Sequence, residues 1–137
     1  MISVIVPVYN EELVIKETHS RLSNVMKAYD YEIIYVNDGS KDKSSEIIRK
    51  IIEKDKNTKL LEFSRNFGHQ IAITAGIANA SGDAVVIIDA DLQDPPEIIP
   101  QLIEKWQQGY EVVYGKRIKR KGETLFKKIT AKLYYRF

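Results

Sequence analysis

Residues 84–97 read Ala84-Val85-Val86-Ile87-Ile88-Asp89-Ala90-Asp91-Leu92-Gln93-Asp94-Pro95-Pro96-Glu97. The run Ala84 to Ile88 is apolar and mostly β-branched, with no polar alternation, as in a strand covered on both faces. It ends in Asp89, Asp91 and Asp94. Asp94-Pro95-Pro96-Glu97 then reads as a helix start, with a capping residue, Pro in the first turn and an acid at the capping-box position. Because Pro96 restricts Pro95, the cap can also sit one residue later. A doubly buried strand that runs through a polar loop into a helix is half of a βαβ unit, so this stretch points to a parallel α/β sheet.

The pattern repeats on either side. Apolar runs at Ile2 to Val8, Tyr31 to Asn37, Lys59 to Phe63, Ala84 to Asp89 and Glu111 to Gly115 alternate with helix-compatible segments at Glu11 to Tyr29, Lys41 to Lys54, Gly68 to Ala80 and Glu97 to Gln108. In the second of these, Ile47, Ile48, Ile51 and Ile52 fall on one helical face. The order βαβαβαβαβ predicts a mainly parallel, Rossmann-like sheet flanked by helices. In such sheets ligands bind beyond the carboxyl ends of the strands. The exits are therefore the residues to read: Pro7-Val8-Tyr9-Asn10-Glu11-Glu12, Asn37-Asp38-Gly39-Ser40, Ser64-Arg65-Asn66-Phe67-Gly68-His69, and the acidic segment after Ile88.

The acidic exit has an electrostatic cost. Two carboxylates about 4 Å apart repel by about 1 kcal/mol in water and about 4 kcal/mol at an effective dielectric of 20, so a half-buried cluster needs a counter-charge. If the chain stays extended past Ile88, period-two alternation points Asp89, Asp91 and Gln93 to one side. Three oxygen donors without His or Cys suit a hard cation, Mg²⁺ or Mn²⁺. Asp94, at the helix start, is read as structural. Asn37-Asp38-Gly39-Ser40 is equally a turn by composition, although an acid after a buried strand in dinucleotide folds meets ribose hydroxyls. Asn10, Glu11 and Glu12 are explained as a helix cap with first-turn acids. Arg65 and His69 flank a helix start whose backbone N–H groups can receive an anion. The sequence lacks a G-x-G-x-x-G and a P-loop, which disfavours an ordinary dinucleotide site and an NTPase.

Composition bounds the rest. The 137 residues, 44% hydrophobic, suit one domain, since domains commonly run to about 100–200 residues. With no cysteine, disulfides and thiolate metal sites are excluded. The apolar start lacks the basic region and cleavage site of a signal peptide, and no apolar run approaches the roughly 18 residues of a membrane span. The net charge of +2 is unevenly spread, with nine Lys or Arg against one acid from Gly115 to Phe137, and twelve against eighteen before it. A basic tail of this kind suits an anionic phosphate or membrane surface. Residues 1–115 are accordingly read as the core and 116–137 as a basic, acceptor-side segment.

The motifs Val6-Pro7-Val8-Tyr9-Asn10-Glu11, Val36-Asn37-Asp38-Gly39-Ser40 and Asp89-Ala90-Asp91-Leu92-Gln93-Asp94-Pro95-Pro96, in this order, resemble the family 2 glycosyltransferases of the GT-A fold. Ser64-Arg65-Asn66-Phe67-Gly68-His69-Gln70 and Asp91 to Glu97 resemble the branch acting on polyprenyl phosphates, which includes dolichol-phosphate mannose synthases. The resemblance implies that Pro7, Tyr9, Glu11 and Asp38 frame the nucleotide base and ribose. Asp89, Asp91 and Gln93 would hold Mg²⁺ or Mn²⁺ against the diphosphate of a nucleotide sugar, UDP-linked rather than GDP-linked. It also implies that the basic stretch after the fifth strand handles phosphate. There Arg117 is the first choice, since guanidinium grips phosphate bidentately, and Arg120 the second.

These assignments imply an inverting, metal-dependent transfer to a polyprenyl phosphate at the cytoplasmic face of the membrane, with Asp91 and Arg117 as the catalytic pair and no nucleic-acid partner. A lipid monophosphate is already anionic, so no strong general base is needed. From Thr124 onward, Phe126, Ile129, Thr130, Leu133, Tyr134 and Phe137 keep helical spacing among basic residues, predicting an amphipathic helix that lies on a membrane or packs on protein. Family members continue beyond this point, so the chain reads as truncated. Two other functions fit the residues: transfer to a saccharide hydroxyl, which needs a general base, and a non-catalytic module that holds nucleotide sugar.

Overall fold

The computed structural model describes residues 1–113 and, beyond them, the backbone of two strands at residues 116–120 and 123–127. The elements are β1 (Ile2–Val8), α1 (Ile15–Met26), β2 (Tyr31–Asn37), α2 (Ser44–Lys54), β3 (Thr58–Glu62), α3 (His69–Ala78), β4 (Ala84–Ile87), a 3₁₀ turn (Pro96–Ile98), α4 (Ile99–Gln107), β5 (Lys116–Arg120) and β6 (Glu123–Lys127). The first four strands form a parallel sheet in the order β3-β2-β1-β4. The strands β5 and β6 pair antiparallel, Arg117 opposite Phe126 and Arg120 opposite Glu123.

Burial on both faces explains the uninterrupted apolar runs of the inner strands β1 and β2, whereas the outer strands β3 and β4 are covered less completely. The run at Ala84–Ile87, expected to be buried on both faces, leaves Ile87 exposed because β4 is paired on one side only in the four-stranded sheet. Every residue of β1 is buried. Val4, Val6, Val8, Ile33 and Tyr35 enter one core with Ile15, Leu22, Met26, Ile48, Ile99 and Ile103 from α1, α2 and α4. The alternate residues Ile5, Ile34 and Val36 face Ala72 of α3. On α1 the buried positions Ile15, Thr18, Leu22 and Met26 recur at intervals of three and four, as one helical face requires.

Several expected boundaries shift. Each of the first three helices begins later than the spacing suggests, because the preceding residues form loops committed to long-range contacts. The expected fifth strand at residues 111–115 reduces to a single bridge residue, Val112, with Tyr114 and Gly115 outside the described residues. Thr124 to Lys127, expected to open an amphipathic helix, lie in β6. The remainder of that predicted helix lies outside the described residues. Among the described residues no helix is long and apolar enough to cross a membrane.

At the amino-terminal rim of the sheet, the buried Glu32 binds three elements together. Its carboxylate accepts from the Ser3 hydroxyl at 2.6 Å and the Ser81 N–H at 2.7 Å, and lies 2.8 Å from Lys59 Nζ. Burial pushes this carboxyl upward, but the Lys59, Ser3 and Ser81 hydrogen bonds outweigh it and hold the group below its ordinary value. A depressed folded-state pKa contributes stability that is full above the unfolded value, about 4.3, and is lost as pH falls through the folded one. Glu32→Gln is expected to cost about 2 kcal/mol at pH 7, in keeping with buried bonds to a charged group. Urea titrations at pH 7 and pH 3 check this, the difference between variant and parent narrowing at the lower pH.

Candidate active site

The sheet order makes β1 the switch point. The chain leaves it towards β2 and β3 on one side and returns to β4 on the other, and a crevice opens where neighbouring exits diverge. An open cleft of about 350 Å³ lies there, lined by Pro7 and Val8 at the end of β1, Tyr9 and Glu11 after it, Asp38 after β2, Asn66, Gly68 and His69 before and at the start of α3, and Asp89, Ala90 and Asp91 after β4. Of the residues expected to contact the nucleotide sugar, the structure brings Pro7, Tyr9, Glu11, Asp38 and Asp89 into this one cleft, together with Asp91.

Two loops build its first wall. Asn10, expected as a helix cap, adopts φ 55°. Its N–H donates to Ser40 Oγ at 2.8 Å, while its side-chain carbonyl accepts from the Lys41 N–H at 2.8 Å. Glu11 N–H donates to Ser44 Oγ at 2.8 Å, and Glu12 accepts from the Lys43 N–H at 2.8 Å. Asn10 and Glu12 thus join the β1–α1 loop to the β2–α2 loop, and α1 starts only after Val14.

The second wall is organised by Asp38, which is 4% exposed. One carboxylate oxygen, Oδ1, accepts from the Phe67 N–H at 2.7 Å and from the Gly68 N–H at 3.3 Å. The other accepts from Asn66 Nδ2 at 3.1 Å and from the Gly68 N–H at 3.1 Å. The anion received by the backbone N–H groups of Phe67 and Gly68 is therefore the protein's own aspartate. Arg65 stacks over Phe67, 3.9 Å from the ring centroid, and Phe67 meets Phe63 edge-on. Asn37, expected to belong to a turn or a nucleotide motif, donates through Nδ2 to Glu62 at 3.0 Å and accepts from the Ser40 N–H.

The acidic wall follows β4. Ile88 N–H still donates to Ile5 O at 3.0 Å, after which the chain turns at Ala90 and Asp91, and Leu92 takes φ 66°. The extended course assumed for Asp89, Asp91 and Gln93 does not occur, so period-two alternation gives no argument for Gln93, whose N–H donates to Asp91 Oδ1 at 3.1 Å. Asp89 and Asp91 nevertheless meet in the cleft through the turn. The Ala90 carbonyl between them accepts from Thr18 Oγ1 at 2.7 Å. Glu97, expected to close a capping box, instead takes Arg21 of α1 in a two-point pair at 2.6 and 3.0 Å. The cap of the 3₁₀ turn is Pro95, without a side-chain hydrogen bond, which is the later of the two positions considered.

Electrostatically the cleft is a concentration of negative charge. Burial pushes the Glu11 carboxyl above its ordinary value, and the charges of Asp91, Asp42 and Asp89 push it further. His69 Nε2 stands 3.6 Å from Asp89 Oδ1. Among the described residues no group of three His, Cys, Asp or Glu closes into a protein-only metal cage. Asp89 and Asp91 are the carboxylates in the cleft that could hold a hard cation such as Mg²⁺ or Mn²⁺, a mode in which ligand phosphates and water complete the shell. The side chains of Arg117 and Arg120 lie outside the described residues.

The family model for glycosyl transferase family 2 matches residues 3–136. The chain belongs to this family. Among family relatives, an uncharacterized glycosyltransferase, YkcC, of Bacillus subtilis is 62% identical over 98% of this chain and 42% of its own length. The bactoprenol glucosyl transferase of Shigella phage SfV is 45% identical over 98% of this chain and 45% of its own. The chain thus spans less than half the length of the curated relatives it matches. The GT-A fold is supported by the mannosyltransferase PcManGT from Pyrobaculum calidifontis in complex with GDP-Man and Mn²⁺, with TM-score 0.71, 27% identity, and coverage of 87% of this chain and 35% of that one. Glucosyl-3-phosphoglycerate synthase from Mycobacterium tuberculosis, in complex with Mn²⁺, UDP and phosphoglyceric acid, superimposes with TM-score 0.65, at 30% identity over 80% of this chain and 39% of its own.

Between the first two walls sits Gly39, at φ 73°. A Cβ there would lie 2.3 Å from the Arg65 carbonyl carbon and 2.4 Å from the Asn66 nitrogen. Both obstacles are backbone, so the loops must separate to admit a side chain. Gly39→Ala is expected to destabilise the domain by at least about 2 kcal/mol, combining left-handed strain with the clash. Thermal or urea unfolding checks it.

Proposed function

We propose that this chain forms the donor-binding part of a metal-dependent, inverting glycosyltransferase that moves a sugar from a nucleotide sugar, UDP-linked rather than GDP-linked, to a polyprenyl phosphate. The observation that carries the reading is the convergence of Glu11, Asp89 and Asp91 in a cleft at the β1/β4 switch point, where a divalent cation would relieve the repulsion and bridge the carboxylates to a diphosphate. Relatives named as bactoprenol glucosyl transferases support the acceptor class, and neighbours holding UDP or GDP-Man with Mn²⁺ support the donor and metal.

In this reading Pro7 and Tyr9 pack against the base. Asp38, its carboxylate committed to the loop before α3, fixes the wall against which the nucleoside rests. Asp89 and Asp91 hold the Mg²⁺ or Mn²⁺, with Gln93 as a further donor. The cation, when bound, neutralises charge on the departing nucleoside diphosphate. An oxygen of the acceptor phosphate forms the new bond at the anomeric carbon as the bond to the diphosphate oxygen breaks, and the electron pair leaves with the nucleoside diphosphate. One displacement inverts the centre. Arg117, assisted by Arg120, aligns the acceptor phosphate, so positioning and electrostatics replace a general base. In this reading the protein works at the cytoplasmic face of a membrane.

Asp91→Ala is expected to abolish Mn²⁺-dependent binding of UDP-glucose by calorimetry while the unfolding midpoint stays within a few degrees. Unchanged metal-dependent binding overturns the assignment. In a radiolabelled transfer assay with UDP-glucose and undecaprenyl phosphate, Arg117→Ala is expected to raise KM for the lipid phosphate about tenfold or more, the scale of one lost charged contact. Product on a saccharide hydroxyl instead of the lipid would replace the acceptor assignment.

A further inference from the structure

We infer that helix α1 is the positioning brace of the acidic turn, with Thr18 as the residue that sets the relation between Asp89 and Asp91. The inference rests on the proposed metal-dependent donor binding.

Thr18 is fully buried and 72 residues from the turn it holds. Its hydroxyl has one proton, shared between Ala90 O at 2.7 Å and the helical carbonyl of Val14 at 3.0 Å. Ala90 is itself 2% exposed, and a buried carbonyl needs a donor. The accepting group lies between the two aspartates, so this bond fixes the turn from which both carboxylates project. Arg21, one turn along α1, grips Glu97 at the far end of the segment. The near end is fixed by the Ile88 N–H on Ile5 O. The acidic segment is thus held at entry by the sheet and at its centre and exit by one face of α1. Thr18 sits behind the turn, and its effect on a bound cation is exerted through Ala90, as an outer partner orients a ligand.

The test compares Thr18→Val, which keeps the shape and removes the hydroxyl, with Thr18→Ser, which keeps the hydroxyl. In the 137-residue chain, UDP affinity is measured by calorimetry with and without Mn²⁺, and the amide resonances of Asp89, Ala90, Asp91 and Leu92 are recorded without metal. Thr18→Val is expected to reduce the Mn²⁺-dependent gain in affinity by roughly tenfold or more, the scale of lost outer-sphere support. Metal-free UDP affinity should hold within about twofold, the four amide signals should move, and Thr18→Ser should restore both readouts. A merely structural Thr18 would lower the melting temperature and leave the Mn²⁺ gain intact, which overturns the inference. If the parent chain shows no Mn²⁺ gain, the metal reading fails, and the amide signals alone decide whether Thr18 sets the turn. Should Thr18→Val not fold, Glu97→Gln at the exposed tie gives the same readout: a weakened Mn²⁺ gain sustains the brace and an unchanged one overturns it.

Discussion

The parallel pairing of β1 with β2 on one edge and β4 on the other is the constraint from which the site follows. Val8 lies opposite Asn37, and Ile5 opposite Ile87, so the loops after all three strands emerge at one rim. No side chain at that rim had to be placed individually. Once β1 is buried on both faces, Tyr9 to Glu11, Asp38 and Asp89 to Asp91 have only this edge on which to gather. At the opposite rim the charged group Glu32 is neutralised by Lys59 and two hydrogen-bond donors.

The two ends of the sheet treat charge in opposite ways. Glu32 is held below its ordinary range by partners, whereas Glu11 is held above it by burial and by neighbouring carboxylates. At the same rim as Glu11 the Asp38 carboxylate accepts four hydrogen bonds from one loop. Among the described residues no comparable set of donors meets the Glu11 carboxylate, which feels the charges of Asp91, Asp42 and Asp89. A carboxyl raised by burial and by neighbouring acids inside a cleft is the kind of perturbed group that marks a candidate ligand site.

The sequence made the strands and the rim legible because burial and period are local properties of short windows: Ile2–Val8 and Tyr31–Asn37 are observed with the bounds their apolar runs suggest. The acids of the cleft were legible for the same reason, each standing directly after a buried run. What local reading missed are partners distant in sequence. Asn10 looks like a cap and ties two loops together; Glu97 looks like a capping-box acid and pairs with Arg21; the N–H groups at Phe67 and Gly68 look ready for a ligand and hold Asp38. In each case the motif was compatible with a helix end, and a side chain from another element took the hydrogen bond first. Thr18 carried no signal at all, because a threonine at a buried helical position differs from its neighbours only in what its hydroxyl meets.

The position of the cleft within the chain has a consequence for how binding and transfer are divided. Among the described residues, those that line it fall between Pro7 and Asp91, and the braces named behind it reach to Glu97. The basic residues proposed for the acceptor begin at Lys116, in a separate antiparallel pair. In the proposed reading donor recognition rests on the four-stranded sheet and its loops, which close on one another through Asp38, Asn10 and Thr18, and acceptor recognition on the chain that follows. Among the described residues, the hydrogen bonds by which Asn10, Asp38 and Thr18 shape the cleft's walls all join residues between Asn10 and Ala90, so the form of those walls is set before the basic segment begins.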